Sequence, residues 1–478
     1  MSGPRGSEAR EATRGSAVRL GAEVAGRVLS LGTSFLVASS LGVEAFGVFA
    51  AASGIALVLA EGADVGLQST AARALVARTL DLRAILRAKL ALSAAMASLI
   101  LSLAAAGGPT LLSVLLAYYV LAGWSELLGV VLRARGCRAA EAAVLLAFRG
   151  AGLAAVALVL RGDGGLLAVS WALAASAVPS LLLGAVLVSR PGGGASPATG
   201  FPMGVETAPA AGVGQVLRQS WPLAVNGGLA LLSLRVELFL LFALRGAWEA
   251  GLFAAALKVV ESLSGIPAAV AAGAMPALTR EALRGPAGSG SSTARSRTAV
   301  TVALLAVPAA AGVALLATGI AAILGPGYAG SAGPLRLLAP ALVALFMNVV
   351  LLHCLIAAGR AEWLPRLTAV RLALAAALGA LLVPVWGAAG GALGFLAAEA
   401  TLLVLAARAT AMAGFGVAVA RPMAFGCAAT LPMAAAIALW NGGTLGSVGL
   451  GILTYGATLA AAWRLARTRL RIMHARAR

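Results

Sequence analysis

The chain has 478 residues, 61% of them hydrophobic and 11% charged, with a mean hydropathy of +0.97. A soluble domain cannot hide that much apolar surface, because area grows too quickly relative to volume. The formal charge of +19 would suit nucleic acid, but the basic residues are scattered between hydrophobic blocks with no aromatic-rich polar surface to stack bases, so no nucleic-acid partner is expected.

Hydrophobic blocks long enough to cross about 30 Å of hydrocarbon recur from end to end. The fold class they predict is an all-α polytopic membrane protein. The first 18 residues are hydrophilic and no small-residue cleavage site follows, so no removable leader is expected. Six spans come first, near 18–40, 45–68, 86–106, 109–132, 141–160 and 165–188. The Gly/Pro-rich stretch 190–216 is read as a linker. Beyond it lie spans near 217–242, 250–277, 298–323, 334–357, 364–384 and 388–408, then two more at 421–440 and 445–463. The organisation expected is a cytoplasmic N-terminal segment (1–17), an N-lobe (18–189), the linker, a C-lobe (217–410), two extra helices (411–463) and a basic cytoplasmic tail (464–478).

Charge alternation tests this count. With both termini in the cytoplasm, cytoplasmic segments hold 28 of the 36 basic residues, opposite loops hold only Arg161 and Arg245, and six lie inside spans. A wrong helix count would scramble that positive-inside pattern. The halves also share features. "GVFAAA" at Gly47 returns as "GLFAAA" at Gly251, and "FRGAGLAAVAL" from Phe148 falls where "VRLALAAALGA" begins at Val370. The common order predicts a parallel six-plus-six repeat about a pseudo-twofold axis normal to the membrane.

The spans carry charges that lipid would penalise by about 2.5–3.5 kcal/mol each at a helix centre. Most must therefore line a watery cavity or pair between helices. In the first span Arg19, Glu23, Arg27, Ser30 and Ser34 form one polar stripe. Glu61 and Asp64 follow in the second span, and Glu126 in the fourth, all near the cytoplasmic side, where neutralising arginines competes with a transport role. Around the turn near residue 246, Arg235, Glu237, Lys258 and Glu261 lie at similar depth. Glu237–Lys258, Arg235–Glu261 and Lys258–Glu261 pairs are all feasible there. Arg149 and Arg371 occupy matching places in the two repeats with no carboxylate nearby in sequence, which favours cavity cations. His353 and Asn348 share the tenth span, where a lone His is usually a packing residue. Cys137, Cys354 and Cys427 show no metal spacing, and no metal or cofactor is expected.

Several stretches resemble one family. "LGVEAFGVFAAASGIALVLAEGADVGLQSTAARALVAR" (Leu41–Arg78) is similar to the second-helix signature of Wzx-type polysaccharide flippases. "LRVELFLLFALRGAWEAGLFAAALKVVESLSGIPAAVAAGAMPALTR" resembles that family's helix 7–8 unit, with Glu237 where many relatives carry aspartate. "ILGPGYAGSAGPLRLLAPAL" and "WGAAGGALGFLAAEA" resemble its helix 9–10 turn and its helix 12. The family sits in the multidrug/oligosaccharidyl-lipid/polysaccharide exporter superfamily. The resemblance implies a non-enzymatic flippase of the bacterial inner membrane that moves undecaprenyl-diphosphate-linked oligosaccharide by alternating access, for O-antigen, capsule or exopolysaccharide synthesis. Its implied partners are that lipid-linked oligosaccharide, membrane lipids, a polysaccharide polymerase and glycosyltransferases. It places Arg27, Arg149, Arg235, Lys258 and Arg371 in a cationic cavity, while the charge pattern itself offers Glu61, Asp64, Glu126, Glu237 and Glu261 as ion-pair or coupling acids. A lipid II flippase, a multidrug or cation antiporter, and a non-transporting membrane scaffold are the other readings. No phosphate-binding Gly-rich loop or metal cluster supports an enzyme.

Overall fold

The computed structural model describes residues 4–64, 66–77, 80–190, 212–284, 294–440 and 442–476. Most of the expected 190–216 linker, and the side chains of Arg5 to Arg19 and of nearly all the basic tail, lie outside the described residues. Everything regular in the described part is helical. Alanine and leucine dominate these segments, and they have the highest intrinsic helix propensities. Several serine and threonine hydroxyls in the spans donate to the carbonyl one turn back, as Thr33 does to Leu29 and Thr298 to Ala294, which satisfies the donor within the helix.

The chain divides into two compact units, Met1–Arg235 and Val236–Arg478. The first contains α1 (Pro4–Asp64), α2 (Leu67–Ala77), α3 (Leu82–Ala105), α4 (Thr110–Ala134), α5 (Arg138–Arg161), α6 (Leu166–Ser189) and α7 (Val213–Ser233). The second contains α8 (Val236–Leu263), α9 (Gly265–Leu283), α10 (Ala294–Leu315), α11 (Ala317–Leu324), α12 (Ala332–Ala357), α13 (Trp363–Met412), α14 (Ala420–Leu439) and α15 (Thr444–Arg476). The division falls at 235/236 rather than at the Gly/Pro-rich stretch expected to separate the lobes. The reason is local: α7 packs on α1, α2 and α3. At Gly66 (φ 62) the α1–α2 turn approaches α7 so closely that a Cβ there would lie 2.8 Å from the Ala224 backbone nitrogen.

Among the described residues eleven helical stretches are long and apolar enough to cross a membrane. Three of them are 41, 48 and 50 residues long, and each contains a glycine with positive φ: Gly42 (φ 81), Gly246 (φ 83) and Gly387 (φ 53). An unbroken 50-residue helix would be about 75 Å long, far more than the bilayer core. Breaking all three gives fourteen helical pieces among the described residues, of which Val236–Arg245 is a short one: the expected span 217–242 is divided between α7 and the start of α8. Two breaks carry the repeat as well. Gly42 and Gly246 stand 204 residues apart, the same shift that separates Gly47 from Gly251, and their backbones nearly coincide at ψ 173 and −175. Only glycine enters that region without strain.

Within the second unit the breaks in α8 and α13 clasp each other. Arg245 Nη1 donates to the Pro384 carbonyl at 3.2 Å, and the Ala388 N–H donates to Glu249 Oε2 at 2.7 Å. Each charge thereby satisfies a backbone group orphaned at a helix end. A Cβ on Gly387 would sit 2.6 Å from Glu249 Oε2. Gly387→Ala should lower stability by about 1–3 kcal/mol through backbone strain and loss of this cap. Thermal unfolding with and without Glu249→Ala checks it. The two changes are expected to be less than additive, and full additivity would place the strain elsewhere.

The extra hairpin α14–α15 belongs to the second unit and packs on α10. Pro308 in α10 has no N–H to offer the Leu304 carbonyl one turn back. The Tyr455 hydroxyl of α15 donates to that carbonyl instead. The appendage is thus anchored at a defect its own side chain repairs.

Candidate functional site: charged groups inside the spans

In the first unit, Arg27 and Glu23 form the expected stripe pair along α1 at 3.1 Å, both partly exposed. One position before Arg27, Gly26 is covered by the stem of Arg149 from α5, whose Cγ would lie 3.6 Å from a Cβ there. The Arg149 guanidinium lies 5.4 Å from the Phe148 ring centroid, and Tyr118 of α4 stacks on the same ring at 5.8 Å and 11°. Among the described residues Arg149 makes no ion pair and no hydrogen bond.

Nearer the end of α1, the acids differ from expectation. Asp64 neutralises a lysine, not an arginine: it is 6% exposed and paired with Lys89 of α3, itself 4% exposed. Gly123 of α4 leaves the room this needs, since a Cβ there would lie 2.8 Å from Lys89 Nζ. Glu61 and Glu126 are exposed, and Glu61 lies within electrostatic range of Glu126, Asp64 and Lys89. Lys89 is not among the candidate residues that the sequence pattern singles out. A usable signal was present: the chain has only two lysines against 34 arginines, and both lysines pair with acids inside helices.

In the second unit, Lys258 pairs along its own helix with Glu261 at 3.4 Å, the local member of the three expected combinations. Glu237 does not take Lys258. It is fully buried, and neither carboxylate oxygen has a hydrogen-bond partner among the described residues. The charges within its electrostatic range are Arg371 and Glu399, both on α13. Those two form an ion pair across the Gly387 break, with Arg371 Nε 2.7 Å from Glu399 Oε1. Asn348 of α12 donates to the Glu399 side chain at 2.7 Å and to its backbone carbonyl at 3.1 Å. Arg371 also lies 5.0 Å over the Phe395 ring. Arg371, expected from sequence as a cavity cation, is 4% exposed and sits in a buried polar network with Glu399 and Asn348. Arg235, at the turn between α7 and α8, is half-buried. His353 Nδ1 bonds only its own helix, at the Val349 carbonyl.

No cluster of three or more His, Cys, Asp or Glu among the described residues could hold a metal.

No family model and no curated protein matches the chain. Among solved structures it is similar to a lipid II flippase, MurJ, in an inward closed conformation, at a TM-score of 0.72 and 11% identity, covering 94% of this chain and 99% of that one. It is also similar to a multidrug-resistance MATE transporter of the MOP superfamily, inward-facing at TM-score 0.61, 16% identity and coverages of 84% and 98%. The outward-facing form gives 0.60, 15% identity, and coverages of 85% and 96%. Identities this low establish the fold: a multi-pass membrane protein built like flippases and exporters.

Proposed function

We propose that this protein is a flippase translocating undecaprenyl-diphosphate-linked oligosaccharide across the bacterial inner membrane by alternating access, serving polysaccharide biosynthesis. Both termini are then cytoplasmic, and the arginine-rich tail rests on anionic lipid headgroups. The observation that carries this reading is the state of the basic residues in the helices. Of the five cations read as cavity-lining, Arg27, Arg149, Arg235 and Lys258 are partly exposed and Arg371 is buried, as the helical Lys89 also is. Partly exposed cations within a membrane fold suit a transported anion. Arginine can engage a diphosphate bidentately and replace part of its hydration. Arg371 is assigned to the buried network instead. Among the acids, Glu237 best fits a coupling role, because its unpartnered oxygens are acceptors that a coupling cation would fill.

A lipid II flippase is the second reading, favoured by the near-complete coverage of MurJ. Its headgroup also carries a diphosphate, so the same cations would serve and only the glycan differs. A cation antiporter would draw on Glu61, Asp64 and Glu126, but Asp64 is already paired with Lys89.

The reading is tested by translocation of a fluorescent undecaprenyl-diphosphate oligosaccharide in proteoliposomes. Lys258→Ala and Arg235→Ala should each slow it by roughly tenfold, the scale of one charge-assisted contact, with thermal stability retained. Wild-type rates in both variants would make these residues structural.

A further inference from the structure

Arg149 and Arg371 stand 222 residues apart at matching places in the repeat, yet their surroundings have diverged. The same shift carries Glu126 of α4 onto Asn348 of α12, and Ala177 of α6 onto Glu399 of α13. In the second unit the residue 28 positions after the arginine is Glu399, which closes on it as an ion pair. In the first unit that place is Ala177, fully buried and apolar. Glu126 does not substitute for the missing anion: it is exposed and forms no ion pair with Arg149. The guanidinium therefore remains half-buried in a span, 5.4 Å from the Phe148 ring centroid and with no ion pair among the described residues. Tyr118, within electrostatic range of Arg149, shares the Phe148 ring and makes no hydrogen bond among the described residues.

We propose that Arg149, with the Tyr118 hydroxyl as a second donor, is a phosphate-anion subsite confined to the first repeat, whose counterpart in the second repeat is occupied by the protein's own Glu399. The ligand is a phosphate ester or diphosphate on a lipid chain. A buried cation paired with an internal carboxylate is less available to a substrate phosphate than a partly exposed one that has no anion beside it. The phenol adds a neutral donor to the charged one. One repeat grips the headgroup, and the other is self-neutralised. This rests on the flippase reading and assigns the diphosphate to particular side chains within it.

The test is equilibrium binding of radiolabelled farnesyl diphosphate to the full chain in detergent micelles, with farnesol and phosphatidylglycerol as competitors. Wild type should bind the diphosphate and ignore farnesol. Arg149→Gln should weaken binding by about tenfold or more and Tyr118→Phe by less, as expected for charged and neutral donors. Ala177→Glu, which installs the partner that Arg371 has, should weaken it as much as Arg149→Gln. The pair Arg371→Met with Glu399→Met should leave it within about twofold, since neither side chain is in the subsite. Unfolding midpoints show which variants are folded, and if Ala177→Glu fails to fold, Arg149→Lys replaces it, expected to bind more weakly because the bidentate fork is lost. Binding by Arg149→Gln equal to wild type overturns the subsite. So does an equal loss in the Arg371/Glu399 double variant. Competition by phosphatidylglycerol as strong as self-competition overturns the substrate assignment and gives the anion to bilayer phospholipid. Arg149-dependent binding with no oligosaccharide translocation overturns the flippase reading and leaves the subsite standing.

Discussion

Arg371→Ala is expected to be among the most destabilising single substitutions in the second unit. It removes the cation that faces two buried carboxylates, Glu237 at 0% exposed and Glu399 at 3%. Breaking a buried ion pair by deleting one partner costs about 3–5 kcal/mol, because the remaining charge stays desolvated and uncompensated. Here Glu399 would lose its partner beside a second buried carboxyl group, Glu237. The loss should appear as a large fall in the thermal unfolding midpoint, or as failure to elute as one species from a sizing column. Replacing both partners, Arg371→Met with Glu399→Met, should recover most of it, since a buried pair can often be exchanged for well-packed apolar groups at little cost. Adding Glu237→Gln should recover more. If Arg371→Ala unfolds at the wild-type midpoint, the network is not closed and Arg371 returns to the cavity.

The second large effect is expected at Asp64. Its carboxylate is what makes Lys89 tolerable at 4% exposed, and Asp64→Ala should cost about 3–5 kcal/mol by the same argument. Asp64→Ala combined with Lys89→Met should regain most of that stability. Gly123→Ala should also destabilise, because its methyl would press on the Lys89 ammonium at 2.8 Å. Equal midpoints for the Asp64→Ala single variant and its double would show that Lys89 reaches solvent.

These two pairs also mark what the sequence could and could not convey. Span number and length were legible because bilayer thickness fixes the length of each apolar run, and because glycines such as Gly42 and Gly246 recur with their flanking motif. The Lys258–Glu261 pair was legible because residues three apart share a helix face. The Asp64–Lys89 and Arg371–Glu399 pairs span 25 and 28 residues, and helical spacing says nothing about side chains on different helical segments. The carboxylate that pairs with Arg371 lies beyond the Gly387 break, out of reach of any local spacing rule. The boundary between the units was likewise hidden. A Gly/Pro-rich stretch announces a loop, but only the docking of α7 on the Gly66 turn puts that helix with the first unit.

The central claim is that the transported headgroup is anionic and lipid-linked. Wild-type protein in proteoliposomes should be offered three fluorescent cargoes at equal concentration: an undecaprenyl-diphosphate oligosaccharide, an undecaprenyl oligosaccharide lacking the diphosphate, and a lipophilic cationic drug. The account predicts rapid redistribution of the first cargo alone. Faster redistribution of the cationic drug, with the diphosphate-linked lipid immobile, would contradict it and make the protein a cation exporter.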